Sequence, residues 1–194
     1  MAVVATRGLP RPSALAPKVG KLYGANTTFN WAHEGKEQSF AFILLDNSQQ
    51  ELFRSEVNGR TFSYPASAPA LLPGQVYFWT VQPLGGVLSN EPSALVGFIM
   101  VSPNQRQEIE KQLAKFPGDS YDASLSRAHV FTDYRLWYDA IAAYTNLIAR
   151  YPNRSDLYEQ RGTIYWQLEV TKSLAEDDFA CAEKVQHATK SPGH

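Results

Sequence analysis

The sequence predicts an α+β chain in two segregated domains, an N-terminal antiparallel β-sandwich followed by C-terminal α-helical hairpins. Apolar residues repeat with a period of two up to about Ser102 and at helical spacing after it. At the changeover, Ser102-Pro103-Asn104-Gln105 places a capping serine before a proline suited to the first helical position, with glutamine three residues on. The expected boundaries are a flexible lead-in over 1–12, the sandwich over 13–102, five helices over 103–188 and a tail over 189–194.

With 194 residues and 44% hydrophobic content, the chain can bury two modest cores. Net charge is −1, and residues 1–103 carry 7 Lys and Arg against 6 Asp and Glu, residues 104–194 carry 11 against 13. Neither half can neutralise a run of phosphates, which argues against nucleic acid as a partner. Cys181 is the single cysteine, so there is no disulfide framework and no CxxC pair, and its neighbours Phe179, Ala180 and Ala182 predict a packed thiol. No apolar run reaches the ~18–20 residues of a membrane span. Met1 to Ala5 is too short for a signal-peptide core before Arg7 and Arg11, and the compartment is left open.

The lead-in through Pro10-Arg11-Pro12 has no periodicity. Strand-like runs follow at Phe29 to Trp31, Ser39 to Leu45, Glu51 to Val57, Thr61 to Tyr64, Val76 to Val81 and Leu95 to Val101. Asp46-Asn47-Ser48, Asn58-Gly59, Pro73-Gly74, Gly85-Gly86 and Ser89-Asn90 separate them with turn chemistry. About seven short antiparallel strands with such spacing point to a sandwich.

Leu71-Leu72-Pro73-Gly74 followed by Tyr77 resembles the tyrosine corner of a fibronectin type III domain, in which a tyrosine hydroxyl bonds back to the backbone. The resemblance covers roughly Ser13 to Ser102. It implies that Trp31, Trp79 and Val81 share one core.

In the second half, Ile109, Leu113 and Phe116 share a helix face that Pro117-Gly118 ends, with Asp119 or Ser120 capping the next helix. From Trp137 to Tyr151, Ala140, Tyr144, Leu147, Ile148 and Tyr151 recur at helical spacing, so this segment is a buried helix. Pro152 stops it, and Ser155-Asp156 offers a cap and a first-turn acid for another.

Ala128, Phe131, Ala140, Tyr144, Leu147 and Pro152 fall where a tetratricopeptide repeat places its packing residues. Gly162 and Tyr165 keep a 34-residue period. Ala175, Phe179 and Ala182 fit after one inserted residue near Val170-Thr171, and Arg161 stands where an apolar residue is usual. The resemblance implies a partner-facing surface on the first helix of each repeat, made by Asp122, Leu125, His129, Thr132 and Asp133, then Asp156, Glu159, Thr163, Trp166 and Gln167. Acids replace the Lys, Asn and Arg that clamp a peptide carboxylate in known arrays, so a basic extended segment anchored on Trp166 is expected.

Catalytic chemistry is thin. His129 and Asp133 are four apart on one helix without a nucleophile or third ligand near them in sequence, and His33, His187 and His194 are isolated. Lys172-Ser173 lacks the glycines of a phosphate loop, and no GxSxG elbow occurs. Glu176-Asp177-Asp178 reads as acid complementing the positive end of a helix. Asn26-Thr27-Thr28 and Asn153-Arg154-Ser155 match the glycosylation sequon by chance. No catalytic, cofactor-binding or metal-ligating residue is assigned, and the chain is not expected to be an enzyme.

The domain order as a whole resembles bacterial proteins in which a fibronectin type III or immunoglobulin-like domain precedes tetratricopeptide-like repeats. That resemblance implies an extracytoplasmic, non-catalytic role. The expected role is an interaction or scaffold module whose helical array holds a protein or peptide segment, without a cofactor. A structural spacer or self-association module, forming homo-oligomers through the helices, is the alternative. An accessory enzyme subunit is the third reading.

Overall fold

The structure is a computed structural model and describes residues 11–24, 27–85, 91–168 and 172–190. Strands come first and helices after them, as the change of period predicts. The strands are β1 (Ser13–Ala16), β2 (Lys21–Leu22), β3 (Thr28–Ala32), β4 (Ser39–Leu45), β5 (Glu51–Asn58), β6 (Thr61–Ser63), β7 (Val76–Pro83) and β8 (Val96–Met100). The helices are α1 (Pro103–Leu113), α2 (Tyr121–Asp133), α3 (Trp137–Arg150), α4 (Ser155–Gln167) and α5 (Lys172–Lys190). Two units emerge: Met1–Val19 with Ala25–Ile99, and Gly20–Gly24 with Met100–His194. The sequence-based range 13–102 therefore includes a short excursion, residues 20–24, that belongs with the helices.

In the first unit, β1, β3 and β6 form one antiparallel sheet in the order β1-β3-β6, while β8, β7, β4 and β5 lie side by side in that order in another. β4 is apolar on both faces because both faces are covered, and its five central residues are buried. β7 instead alternates, burying Tyr77, Trp79, Val81 and Pro83. The ring of Phe29 from the first sheet lies 4.7 Å from Phe42, 5.1 Å from Trp79 and 5.8 Å from Phe98 of the second, a contiguous aromatic core. Trp31 is buried against Phe40. The indole of Trp79 donates to the Pro17 carbonyl at 2.7 Å, so the buried N–H has a partner. Leu72 N–H donates to the Tyr77 hydroxyl oxygen at 2.8 Å, a bond from hydroxyl back to backbone of the kind expected there. β1 lies outside the strand-like runs of the sequence because only Ala14 in it is buried, which leaves no period to read.

In the second unit α2 packs on α3, α3 on α4 and α4 on α5. Ser102 accepts from the Gln105 N–H at 3.3 Å and Ser120 from the Ala123 N–H at 3.2 Å, so both are helix caps. α1 ends at Leu113, earlier than Pro117-Gly118 suggests, because Lys115 and Phe116 close tighter turns onto Gln112 and Leu113. Ser155 is not a cap: it is the first residue of α4, and Arg154 precedes it without a side-chain capping bond. Ala128, Ala140, Tyr144, Leu147, Leu157 and Ile164 form one core cluster, and Val101, Ile109, Val130 and Leu136 another. At Gly162 a Cβ would meet the Phe179 ring at 2.8 Å, so this close approach of α4 and α5 requires glycine.

The excursion at 20–24 is clamped by the helices. Tyr23 and Gly24 N–H groups donate to the two Asp139 carboxylate oxygens at 2.9 and 2.8 Å. Arg106 donates to the Tyr23 carbonyl at 2.7 Å while lying 4.9 Å over its ring, and Val101 N–H donates to the Leu22 carbonyl. The lead-in up to Pro10, the Asn26 sequon position, Gly86 of the expected hairpin, the Ser89-Asn90 turn, the Val170-Thr171 turn and residues 191–194 lie outside the described residues.

Candidate functional site: a polar stripe on two helices

Helical spacing puts Asp122, Leu125, His129, Thr132 and Asp133 within one stripe about 100° wide on α2, and Asp156, Glu159, Thr163, Trp166 and Gln167 within the same stripe of α4. Asp122, His129 and Asp133 are exposed, whereas Thr132 is half-buried and turns its hydroxyl back to the Ala128 carbonyl at 3.0 Å. Leu125 is half-buried against the core cluster and serves packing more than contact. His129 stands 6.3 Å from the buried Tyr144 ring.

On α4 the acids have neighbours. Asp156 accepts two bonds from Arg154, both at 2.9 Å, and one from the Tyr121 hydroxyl at 3.1 Å. Arg154 above all, with Tyr121 adding to it, holds the Asp156 carboxyl below the usual carboxylate range. Arg154 also lies 4.4 Å over the Tyr121 ring, and Tyr121 meets Tyr151 at 4.9 Å, so the starts of α2 and α4 come together. Glu159 accepts from Gln186 of α5 at 2.6 Å, and its carbonyl accepts from Thr163. Gln167 is exposed. Trp166 is 51% exposed, with the Lys172 ammonium 5.5 Å above its ring.

Sequence reasoning missed Tyr121, Arg154, Lys172 and Gln186. The first two flank the stripe at the helix starts, and the other two reach it from α5, whose register is hidden by the inserted residue. It also misread two polar groups. Asp178 is not a solvated helix-end acid: it is buried and forms a bidentate pair with Arg161 at 2.8 and 2.7 Å. His33 is not isolated, since its buried ring meets Glu37 at 2.8 Å and that bond chiefly lowers the Glu37 pKa. Cys181 is half-buried. Among the described residues no group of three His, Cys, Asp or Glu side chains could hold a metal ion, and no helix is long and apolar enough to cross a membrane.

A family model described as a domain of unknown function, DUF928, matches residues 5–176. The chain belongs to the DUF928 family. The match runs through the strands of the first unit and on into the start of α5, so the DUF928 region takes in both units and the whole of the stripe. Comparison with the curated proteins gives no match to this DUF928 chain.

Proposed function

We propose that this chain is a non-catalytic interaction or scaffold module of a bacterial, envelope-associated protein, whose helical unit holds an extended, basic partner segment along the α2 and α4 stripe. The single observation that carries the reading is Trp166. A tryptophan half in solvent on an otherwise polar helix face leaves a large apolar surface uncovered, and such residues dominate binding energy where partners meet. Lys172 already sits over its ring, so the geometry for a cation is present, and a partner Lys or Arg would take that place. Asp122, Asp133 and Glu159 add negative charge to the stripe without a salt bridge to a basic side chain among the described residues.

The Leu72–Tyr77 bond, with Pro73-Gly74 between the two residues, supports a fibronectin type III-like sandwich for the first unit. The small residues Ala128 and Gly162, 34 apart and both buried between helices, support a short tetratricopeptide-like array for the second.

A peptide-display selection against the purified chain, read by tryptophan fluorescence, tests the proposal. Selected peptides should be extended, enriched in Lys and Arg, and should lose their fluorescence response in Trp166→Ala. Selection of acidic or apolar helical peptides would overturn it. A self-association module is favoured by one further observation, a second exposed large apolar side chain, Leu174, eight positions after Trp166. Sedimentation at rising concentration decides between the two, because a monomer throughout removes self-association.

A further inference from the structure

The two helical hairpins carry an arginine at the same place and treat it differently. Arg161 of α4 lies 34 residues after Arg127 of α2, and each is on the side of its helix opposite the polar stripe. Arg161 meets a buried carboxylate: Asp178 of α5 accepts its two bonds, Thr145 a third at 2.9 Å, and the two charged side chains are only 17% and 6% exposed. The 35-residue offset that matches Ala175 with Ala140 and Phe179 with Tyr144 matches Asp178 with Ala143 of α3. In the first hairpin a methyl group therefore stands where the second places a carboxylate.

A cavity of about 240 Å³ opens at that point, lined by Arg127, Ala143, Asn146 and Arg150, with Phe131 and Leu147 among its apolar walls and Asp119 and Ser124 completing the lining. Arg127 is held in place by the Phe116 and Gly118 carbonyls at 2.8 and 2.5 Å and by the Ser124 hydroxyl at 3.1 Å. The carboxylate it meets, Asp119, is 3.4 Å away and 92% exposed, a loose pair that solvent screens. Arg150 donates to the Asp119 carbonyl at 2.6 Å, so both guanidinium groups converge on residues 118–119 at the cavity rim. These bonds, with one from Arg150 to the Tyr151 hydroxyl at 3.4 Å, leave the Nε–H of Arg127 and the Nε–H and Nη1 of Arg150, which with the Asn146 amide and the apolar walls suit an anion with a hydrocarbon stem. The volume is many times the roughly 10–15 Å³ that one water needs, room for a short aliphatic body.

We propose that this cavity binds a carboxylate on a short aliphatic stem, which completes in the first hairpin the arginine–carboxylate pair that Asp178 makes within the second. The site lies on the other side of α2 from the stripe and does not depend on the function proposed above. A carboxylate of this kind can be a free short-chain acid or the Asp or Glu side chain of a partner, and the test separates them.

The full chain, labelled with ¹⁵N, is titrated in one arm with glutarate and in another with N-acetyl-glutamate amide, following the Arg127 Nε–H and Asn146 side-chain amide signals by NMR. Saturable shifts with a Kd of about 1 mM or tighter are expected in at least one arm. A response to glutarate alone assigns the site to free acids, and a response to the capped residue alone assigns it to a partner's side chain. Ala143→Asp, which supplies the missing carboxylate from within, should abolish the shifts and raise the Tm. Ala143→Leu, which fills the cavity with hydrocarbon, should abolish them without that rise, and Arg150→Ala should weaken binding about tenfold. No saturable shift in either arm overturns the proposal, as do undiminished shifts in folded Ala143→Leu or Ala143→Asp.

Discussion

Arg161 and Asp178 show how one residue choice governs a helix pair. Both charges are largely removed from water, and each is tolerable only because the other is present. Arg161→Met leaves the Asp178 carboxylate buried without its partner and should destabilise the chain by about 3–5 kcal/mol. The double replacement Arg161→Met with Asp178→Leu removes both charges and should recover most of that loss in urea denaturation. If the double variant is as unstable as the single one, the cost lies in packing around α4 and α5 and not in the unpaired charge. The oddity of an arginine at an apolar position was legible in the sequence. Its partner 17 residues on was not, because that match exists only once α5 is folded back on α4.

Among elements, two aspartates respond to pH in opposite directions. Burial is the largest influence on Asp139 and raises its pKa, while the Tyr23 and Gly24 N–H groups pull it back down. Its proton-linked contribution to stability is therefore full below the unfolded pKa and is lost as pH rises through the raised folded value. For Asp156 the folded pKa is lowered, so its contribution is complete above the unfolded value near ~4 and is lost as pH falls through the folded one. The Tm difference between the native chain and Asp156→Asn should accordingly be largest at neutral pH and close in acid; a difference that does not change with pH would mean that Arg154 gives the carboxylate no preference. Asp139→Asn retains one acceptor for two donors, so the Tyr23 and Gly24 amides should exchange hydrogen faster while the interiors of α3 and α4 keep their protection. Unchanged exchange at residues 23 and 24 would show that Arg106 and Val101 suffice to hold them.

At the scale of the whole molecule the chain passes from the first unit into the second at Gly20–Gly24 and returns before β3, and the DUF928 match spans both. The period of two in β5, β7 and β8 and the helical period in α1 to α4 were plain in the sequence because each records local burial. The excursion was not legible, since Tyr23 and Gly24 bond to a residue more than a hundred positions later and no local period carries that information. Ser155 misled for a different reason: Pro152 to Asp156 supports a helix start at either of two residues, and Arg154 took the cap. In the stripe, register alone located Trp166, while the cation over its ring comes from α5 and could not be read beforehand. We propose that a partner segment binds this stripe on α2 and α4. The most direct test is fluorescence anisotropy of a display-selected basic peptide against the double variant Trp166→Ala with Asp133→Lys, alongside its melting curve. The claim predicts that affinity is lost by at least tenfold, about 1.4 kcal/mol, while Tm stays nearly unchanged, because both side chains are exposed. Undiminished affinity in the folded double variant would contradict it.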